Sequence, residues 1–348
     1  MPQGYAPLDV VGGSYKWRQN HPKGDSMSGK DKTKSEKLTR GEIKERFAQQ
    51  TSLIDALNLV RDGGVIHGYY QHYTSLRRAL DKIAGAWWLT RSDSDKLNDH
   101  QEIIKFGKKE VARRMYQTSF CHGANEDVAM WGLYQHCNPL AIRITIPRKT
   151  MERWIGDIQV KPGMDRKERQ SHLDCVGLQS GVKVVAFGDL VYASVADPDV
   201  PHDRHDIHRS GQVHWDDAGC NVVEDLQEGI KCDWATSLVK DSEWRHERES
   251  RLTVQFSEAL PKCTAAIKIA IPKYVIEDMR FTYSPWLKRE YETKVERVLA
   301  SALSKVGIDP KSGGFQRFRR STLCGALNLG EVRFDGYELV DWLFQSLS

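Results

Sequence analysis

The sequence contains no apolar run of membrane-spanning length, no C-x-x-C pair, and neither G-x-G-x-x-G nor G-x-x-x-x-G-K-[ST]. Each absence removes a class. A spanning helix needs about 20 consecutive apolar residues, so none is expected. The opening stretch MPQGYAPLDVVGGSYKWRQ lacks the basic-then-apolar pattern of a secretory signal, and a cytoplasmic protein without membrane attachment is the expectation. Seven cysteines, Cys121, Cys137, Cys175, Cys220, Cys232, Cys263 and Cys324, are scattered and odd in number. They fit free thiols in a reducing compartment better than a disulfide framework or a zinc knuckle. The missing glycine motifs argue against a Rossmann fold and a P-loop. No internal repeat is present.

What remains is a chain of 348 residues, 40% hydrophobic and 28% charged, long enough for one large domain or two smaller ones. Fifty-one basic residues against 47 acidic ones leave a net charge of +4, which is compatible with a nucleic acid or an acidic partner and diagnostic of neither.

Residues 1–42 read as a flexible basic arm, rich in Lys, Gly and Ser and too poor in aliphatics to bury a core. From Ile43 to Val60 apolar residues recur at helical spacing until Gly63 and Gly64. VIHGYYQHYT and AWWLT read as strands on either side of a short helix, LRRALDKIAG, capped by Ser75. A helix to about Met115, a strand near YQTSF, the helix EDVAMWGLYQHC and the strand LAIRITI follow. VKVVAFGDLVYASV, RLTVQF and TAAIKIAI read as further strands, and PKYVIEDM and LKREYETKVERVLASALSKVG as helices. This irregular mixture predicts an α+β fold across residues 43–330. In the tail at 331–348, Tyr337, Leu339, Val340, Leu343, Phe344 and Leu347 line one helix face, which packs on its own domain or docks a partner.

Four stretches carry side chains suited to chemistry, each with a plain structural reading beside it. If ERESRLTVQF is one strand, Glu247, Glu249 and Arg251 share a face, as a site or as an exposed surface balanced by arginines. His72, Tyr73 and Thr74 close a strand just before a helix, as ligand contacts or as core. Trp131 and Tyr134 are neighbours on a helix face, as a stacking platform or as core. His202, His205, His208 and His214 fall among aspartates in a composition that reads as a solvated loop at 197–217, with no spacing that fits a metal motif. No metal is expected.

Taken in order, HYTSL at His72–Leu76, WWL with LND and Glu102, MWGLY at Met130–Tyr134, and W-x-x-E-x-E-x-R at Trp244, Glu247, Glu249 and Arg251 resemble an uncharacterised bacterial domain-of-unknown-function family. That family is typified by Y-H-Y-T-S, N-D-P-x-E, M-W-x-x-Y and W-x-x-E-x-E-x-R. The resemblance covers roughly residues 66–325. Here His100 stands where the family has proline, and SFCHG replaces its CFS run.

The family's pattern is in turn similar to that of ADP-ribosyltransferases. The resemblance implies a split mixed β-sheet with flanking helices, and NAD as substrate. It implies that Glu249 is catalytic with Glu247 as its helper. His72, with Tyr73 and Thr74, would hold the nicotinamide side of NAD, and Trp131 or Tyr134 would stack on the ring. Arg251 would meet the diphosphate. The implied activity is ADP-ribosyl transfer to a macromolecule (RNA, DNA or protein), as in a bacterial toxin or phage-defence effector with an antitoxin or regulatory protein as partner. NAD hydrolysis and a non-catalytic nucleotide- or nucleic-acid-binding module are the alternatives.

Overall fold

The computed structural model describes residues 67–93, 109–158 apart from 124, 166–194 apart from 179, 212–216, 219–223, 235–312 apart from 262, 316–324 and 345. The expected basic arm, the helix at 43–60, the LND loop with His100 and Glu102, His202, His205 and His208, and nearly all of the tail at 331–348 lie outside the described residues.

The larger sheet is built around β3 (Met115–His122). One edge of β3 pairs along its length with β10 (Glu249–Phe256), from Glu249 opposite Cys121 to Gln255 opposite Met115. The other edge is shared. β1 (Tyr69–Ser75) takes the C-terminal end, with Tyr70 opposite His122 and Gln71 opposite Cys121. β2 (Ala86–Arg91) takes the N-terminal end, with Thr90 opposite Gln117 and Arg91 opposite Tyr116. The sheet therefore forks at Thr118 and Ser119, where side chains replace a neighbouring strand. Trp87 Nε1 donates to Thr118 Oγ1 at 3.1 Å, and His72 Nδ1 donates to the Ser119 carbonyl at 2.9 Å.

From the fork, β1 pairs with β4 (Ala141–Pro147), then β12 (Arg280–Tyr283), with β13 (Phe318–Arg319) parallel at the edge. β2 continues to β11 (Ala266–Ala270), and β10 to β5 (Val182–Asp189). A second sheet joins β6 (Val191–Ser194), β7 (Gln212–Asp216), β8 (Gly219–Val223) and β9 (Val239–Asp241) in the order β7-β8-β6-β9. The architecture is a mixed one, with a mostly antiparallel open sheet and several helices. No helix among the described residues is long and apolar enough to cross a membrane.

Strand alternation assigns the two faces of the large sheet. On one, Leu252, Val254 and Phe256 of β10 join Tyr70, Trp87, Phe120 and Phe187 in the main core. Burying each such side chain contributes about 1.5–3 kcal/mol. Against this core lie α1 (Leu76–Ile83), α4 (Arg148–Ile158) and α7 (Arg289–Lys305), whose Val295, Val298, Leu299 and Leu303 recur at helical spacing. The Ser75 hydroxyl accepts from the Arg78 N–H at the start of α1, and Gly85 at φ +89° follows its end. On the other face, α3 (Val128–Gln135) brings Met130 and Trp131 onto Tyr73, Cys121 and Ala141. α2 (Lys109–Ala112), α5 (Arg166–Cys175) and α6 (Lys273–Asp278) complete the helices.

Three expectations need correction. VKVVAFGDLVYASV is two strands in two sheets, because the chain turns at Leu190, whose N–H donates to the Glu249 carbonyl at 2.9 Å. Residues 212–216, read as loop, form β7 in a hairpin with β8, where cross-strand pairing outweighs a polar composition. The acidic stretch is not one strand: Ser242–Glu247 is a 3₁₀ turn and β10 begins at Glu249.

Candidate active site

Between Glu247 and Glu249 the backbone passes through Arg248 at φ +46°, a left-handed conformation that few non-glycine residues adopt. That single residue converts the end of the 3₁₀ turn into the start of β10. Glu247 and Glu249 thus arrive side by side by a turn rather than by strand alternation. Both are almost wholly buried, at 2% exposure.

Two carboxylates at close quarters require compensation. Lys240 of β9 supplies it to both, with Nζ 2.5 Å from Glu247 Oε2 and 3.2 Å from Glu249 Oε2. Arg251, two residues along β10 and on the same face, donates from Nε to Glu249 Oε1 at 2.8 Å and from Nη1 to the Ser237 carbonyl at 2.8 Å. The Ser119 hydroxyl also donates to Glu249, and the Tyr134 hydroxyl donates to Glu247. The Glu249 N–H donates to the Tyr192 hydroxyl oxygen at 2.8 Å, tying the start of β10 to the second sheet.

The surroundings drive the two acids apart. Burial alone would raise Glu249, but the charges of Arg251 and Lys240 outweigh it and hold the carboxyl well below the usual range. Burial, together with the Glu249 charge, pushes Glu247 up to about 7 against the pull of Lys240. At neutral pH one carboxylate is firmly ionised, and its neighbour sits near its own titration point. Divergent neighbouring acids of this kind are suited to divided acid–base and electrostatic roles. Burial and the two glutamates raise Tyr134, so it acts as a neutral donor. Burial and the same acids raise Cys121 well above its ordinary value, which leaves a thiol rather than a nucleophilic thiolate.

Register places the remaining residues. Gln71 opposes Cys121, which opposes Glu249, so Tyr73 lies on the acid pair's face. Its ring meets Trp131 edge-on at 4.8 Å, and its hydroxyl donates to Gln71 Oε1 at 3.3 Å. Trp131 is fully buried and donates from Nε1 to Glu126 at 3.2 Å. Tyr134, one turn later, is half-buried and is the member of the aromatic pair that touches an acid.

His72 and Thr74 are not brought to this cluster. They alternate with Tyr73, on the opposite side of β1. The His72 ring lies 4.9 Å from Trp87 and 5.8 Å from Phe120. Burial, then the Lys82 charge, lowers its pKa to about 3, so its neutral ring plugs the fork in the sheet. Lys82 itself lies over the Trp87 ring at 4.7 Å, and burial, with nearby Arg78, lowers it to about 7.

Sequence reasoning missed Lys240, Ser119 and Tyr192. Ser119 lies in the SFCHG stretch, noted only as a departure from the family's run, Tyr192 sits in a strand that carries no chemical motif, and Lys240 lies 7 residues from Glu247 in a segment without periodicity. Only the strand pairing assembles them. A second polar constellation, Arg143 with Gln71, Thr282 and Glu126, is buried beneath Tyr73. No family model, no curated protein and no solved structure matches the chain.

Proposed function

We propose that the acid pair at the head of β10 cleaves the nicotinamide–ribose bond of NAD and transfers ADP-ribose to a macromolecule. The observation that carries this reading is the juxtaposition of two buried carboxylates, Glu247 and Glu249, that share one cation, Lys240. Breaking that bond develops oxocarbenium charge on the ribose, as in glycoside cleavage. Glu249, ionised and fixed by Arg251 and Ser119, is the group that stabilises the charge. Glu247, near its titration point at neutral pH, is the base that takes a proton from the incoming nucleophile.

Lys240 Nζ marks a point between the carboxylates that favours a cation. Tyr134 is the aromatic residue best disposed for the nicotinamide ring. The ribose contact expected of His72 falls to Tyr73, which shares the acid pair's face. The forked sheet supports an ADP-ribosyltransferase-like arrangement, since that fold was expected to have a split sheet.

The test is nicotinamide release from NAD by the full chain supplemented with cell lysate as a source of acceptors. Release should fall by roughly 10²–10³-fold in Glu249→Gln. Label from ADP-ribose on RNA, DNA or protein identifies transfer, and free ADP-ribose identifies hydrolysis. A folded wild-type chain that releases no nicotinamide with any lysate fraction overturns the enzymatic reading.

A further inference from the structure

Behind the acid pair, on the opposite face of the same strand ends, lies a second cluster of chemistry-bearing side chains. His67 precedes β1, His122 ends β3 and Asp189 ends β5, and none is more than 5% exposed. Tyr70 opposes His122 and Ser250 opposes Asp189, the register positions that alternate with Gln71 and Glu249. His67 Nε2 lies 2.6 Å from Asp189 Oδ2. The His67 and His122 rings stack in parallel, 3.6 Å apart and 2° from coplanar in orientation. One nitrogen from each ring and one Asp189 oxygen lie within 4.8 Å of one another.

The cluster has a supporting shell. Ser250 Oγ donates to Asp189 Oδ1 at 2.6 Å, which leaves Oδ2 for the histidines. The His67 backbone N–H donates to the Tyr70 hydroxyl at 3.1 Å, and the Tyr70 ring meets the His67 ring edge-on at 5.9 Å. Oriented ligands held by outer hydrogen bonds are the usual setting of a metal site. A buried histidine–aspartate pair is complete with one histidine. The second, with a nitrogen within 4.8 Å of the same carboxylate, is what an ion explains and a simple pair does not.

We propose that His67, His122 and Asp189 bind one divalent first-row transition ion, which departs from the sequence-based expectation of no metal. Two imidazole nitrogens and one carboxylate oxygen form a three-ligand set suited to Zn²⁺, with further positions for water, or to non-haem Fe²⁺. The ion takes the place of the proton that joins His67 Nε2 to Asp189 Oδ2. Convergence of both lone pairs on one ion, at a Zn–N distance of about 2.0–2.1 Å, requires His122 to turn out of the parallel stack. The ion ties the residue two positions before β1 to the ends of β3 and β5 at the turn into β6, where Leu190 and Tyr192 hold both backbone groups of Glu249.

The experiment uses the full chain, stripped with chelator and reloaded with Zn²⁺ or Co²⁺. Wild type should retain one Zn²⁺ per chain after dialysis, melt higher with Zn²⁺ than without, and give a visible Co²⁺ absorption band. His122→Gln should abolish retention and the band, as should Asp189→Asn. Ser250→Ala, which removes only the supporting hydroxyl, should weaken binding by roughly 10–100-fold. Replacing His202, His205, His208 and His214 together with Ala should leave retention intact. The assignment falls if the folded wild type holds no ion, if His122→Gln holds it equally, or if the four-histidine variant loses it. Circular dichroism confirms that each variant is folded, and Ser250→Ala keeps the test decisive if Asp189→Asn is not.

Discussion

Glu247 is costly to hold in its ionised form and Glu249 is not, although only one residue separates them. The difference lies in their cations: Arg251 and Lys240 serve Glu249, whereas Glu247 shares Lys240 and faces its neighbour's charge. The consequence for stability has a definite sign. Unfolded Glu247 ionises near 4.5, while the folded form keeps its proton to about 7. Between those values the folded state binds more protons, so this residue makes stability fall as pH rises, and the loss levels off above about 7. Glu249 has a lowered pKa and acts in reverse, contributing stability above about 4.5 that is lost only in strong acid. Glu247→Gln, which keeps the shape without the charge, should gain about 1–3 kcal/mol relative to wild type from pH 4.5 to pH 8. Denaturant titrations of both proteins at several pH values measure this, and parallel profiles would refute it.

At the level of elements, the turn through Arg248 and the fork in β3 do most to position the site. The Arg248 carbonyl accepts from the His122 N–H at 2.9 Å, so its left-handed backbone is locked to the end of β3. A side chain there costs on the order of 1–2 kcal/mol, and a β-branched one more. Arg248→Gly is therefore expected to match or slightly exceed wild type in urea midpoint, while Arg248→Val falls by roughly 1–2 kcal/mol. Equal midpoints for the two would show that the turn is unstrained. Helices and strands with clear periodicity were legible in the sequence: α1 with its serine cap, α7 with its apolar stripe, and β10 with polar and apolar residues alternating. The break at Leu190 was not, because LVYASV reads as one β-rich run whichever sheet its ends join. α4 and α5 also escaped notice, lacking distinctive caps or motifs.

On the scale of the whole molecule, the large sheet presents an apolar face to most of its helices and a buried polar face to α3 and the turns of residues 235–247. β3 and β10 are paired on both edges, whereas the second sheet consists of strands of 3 to 5 residues. Amide exchange should follow this hierarchy. β3 and β10 should open only near global unfolding, and β6 to β9 should exchange sooner. Hydrogen-exchange mass spectrometry reads the order directly, and earlier opening of β10 would contradict it.

The amino-acid sequence was enough to predict an α+β chain, the placement of most described elements, and Glu247, Glu249, Arg251 and Tyr134 as members of one candidate site. The grouping of the acids with Arg251 and Tyr134 follows the family resemblance, whereas the fold class and the element placements rest on local periodicity, which depends on neighbours a few residues away. It could not reveal that Lys240 bridges the acids, that His72 faces the core rather than the acids, or that His67 and Asp189 meet across 122 residues. A side chain's face is set by strand register, and register depends on long-range pairing. One residue's shift moves every side chain to the other side of the sheet.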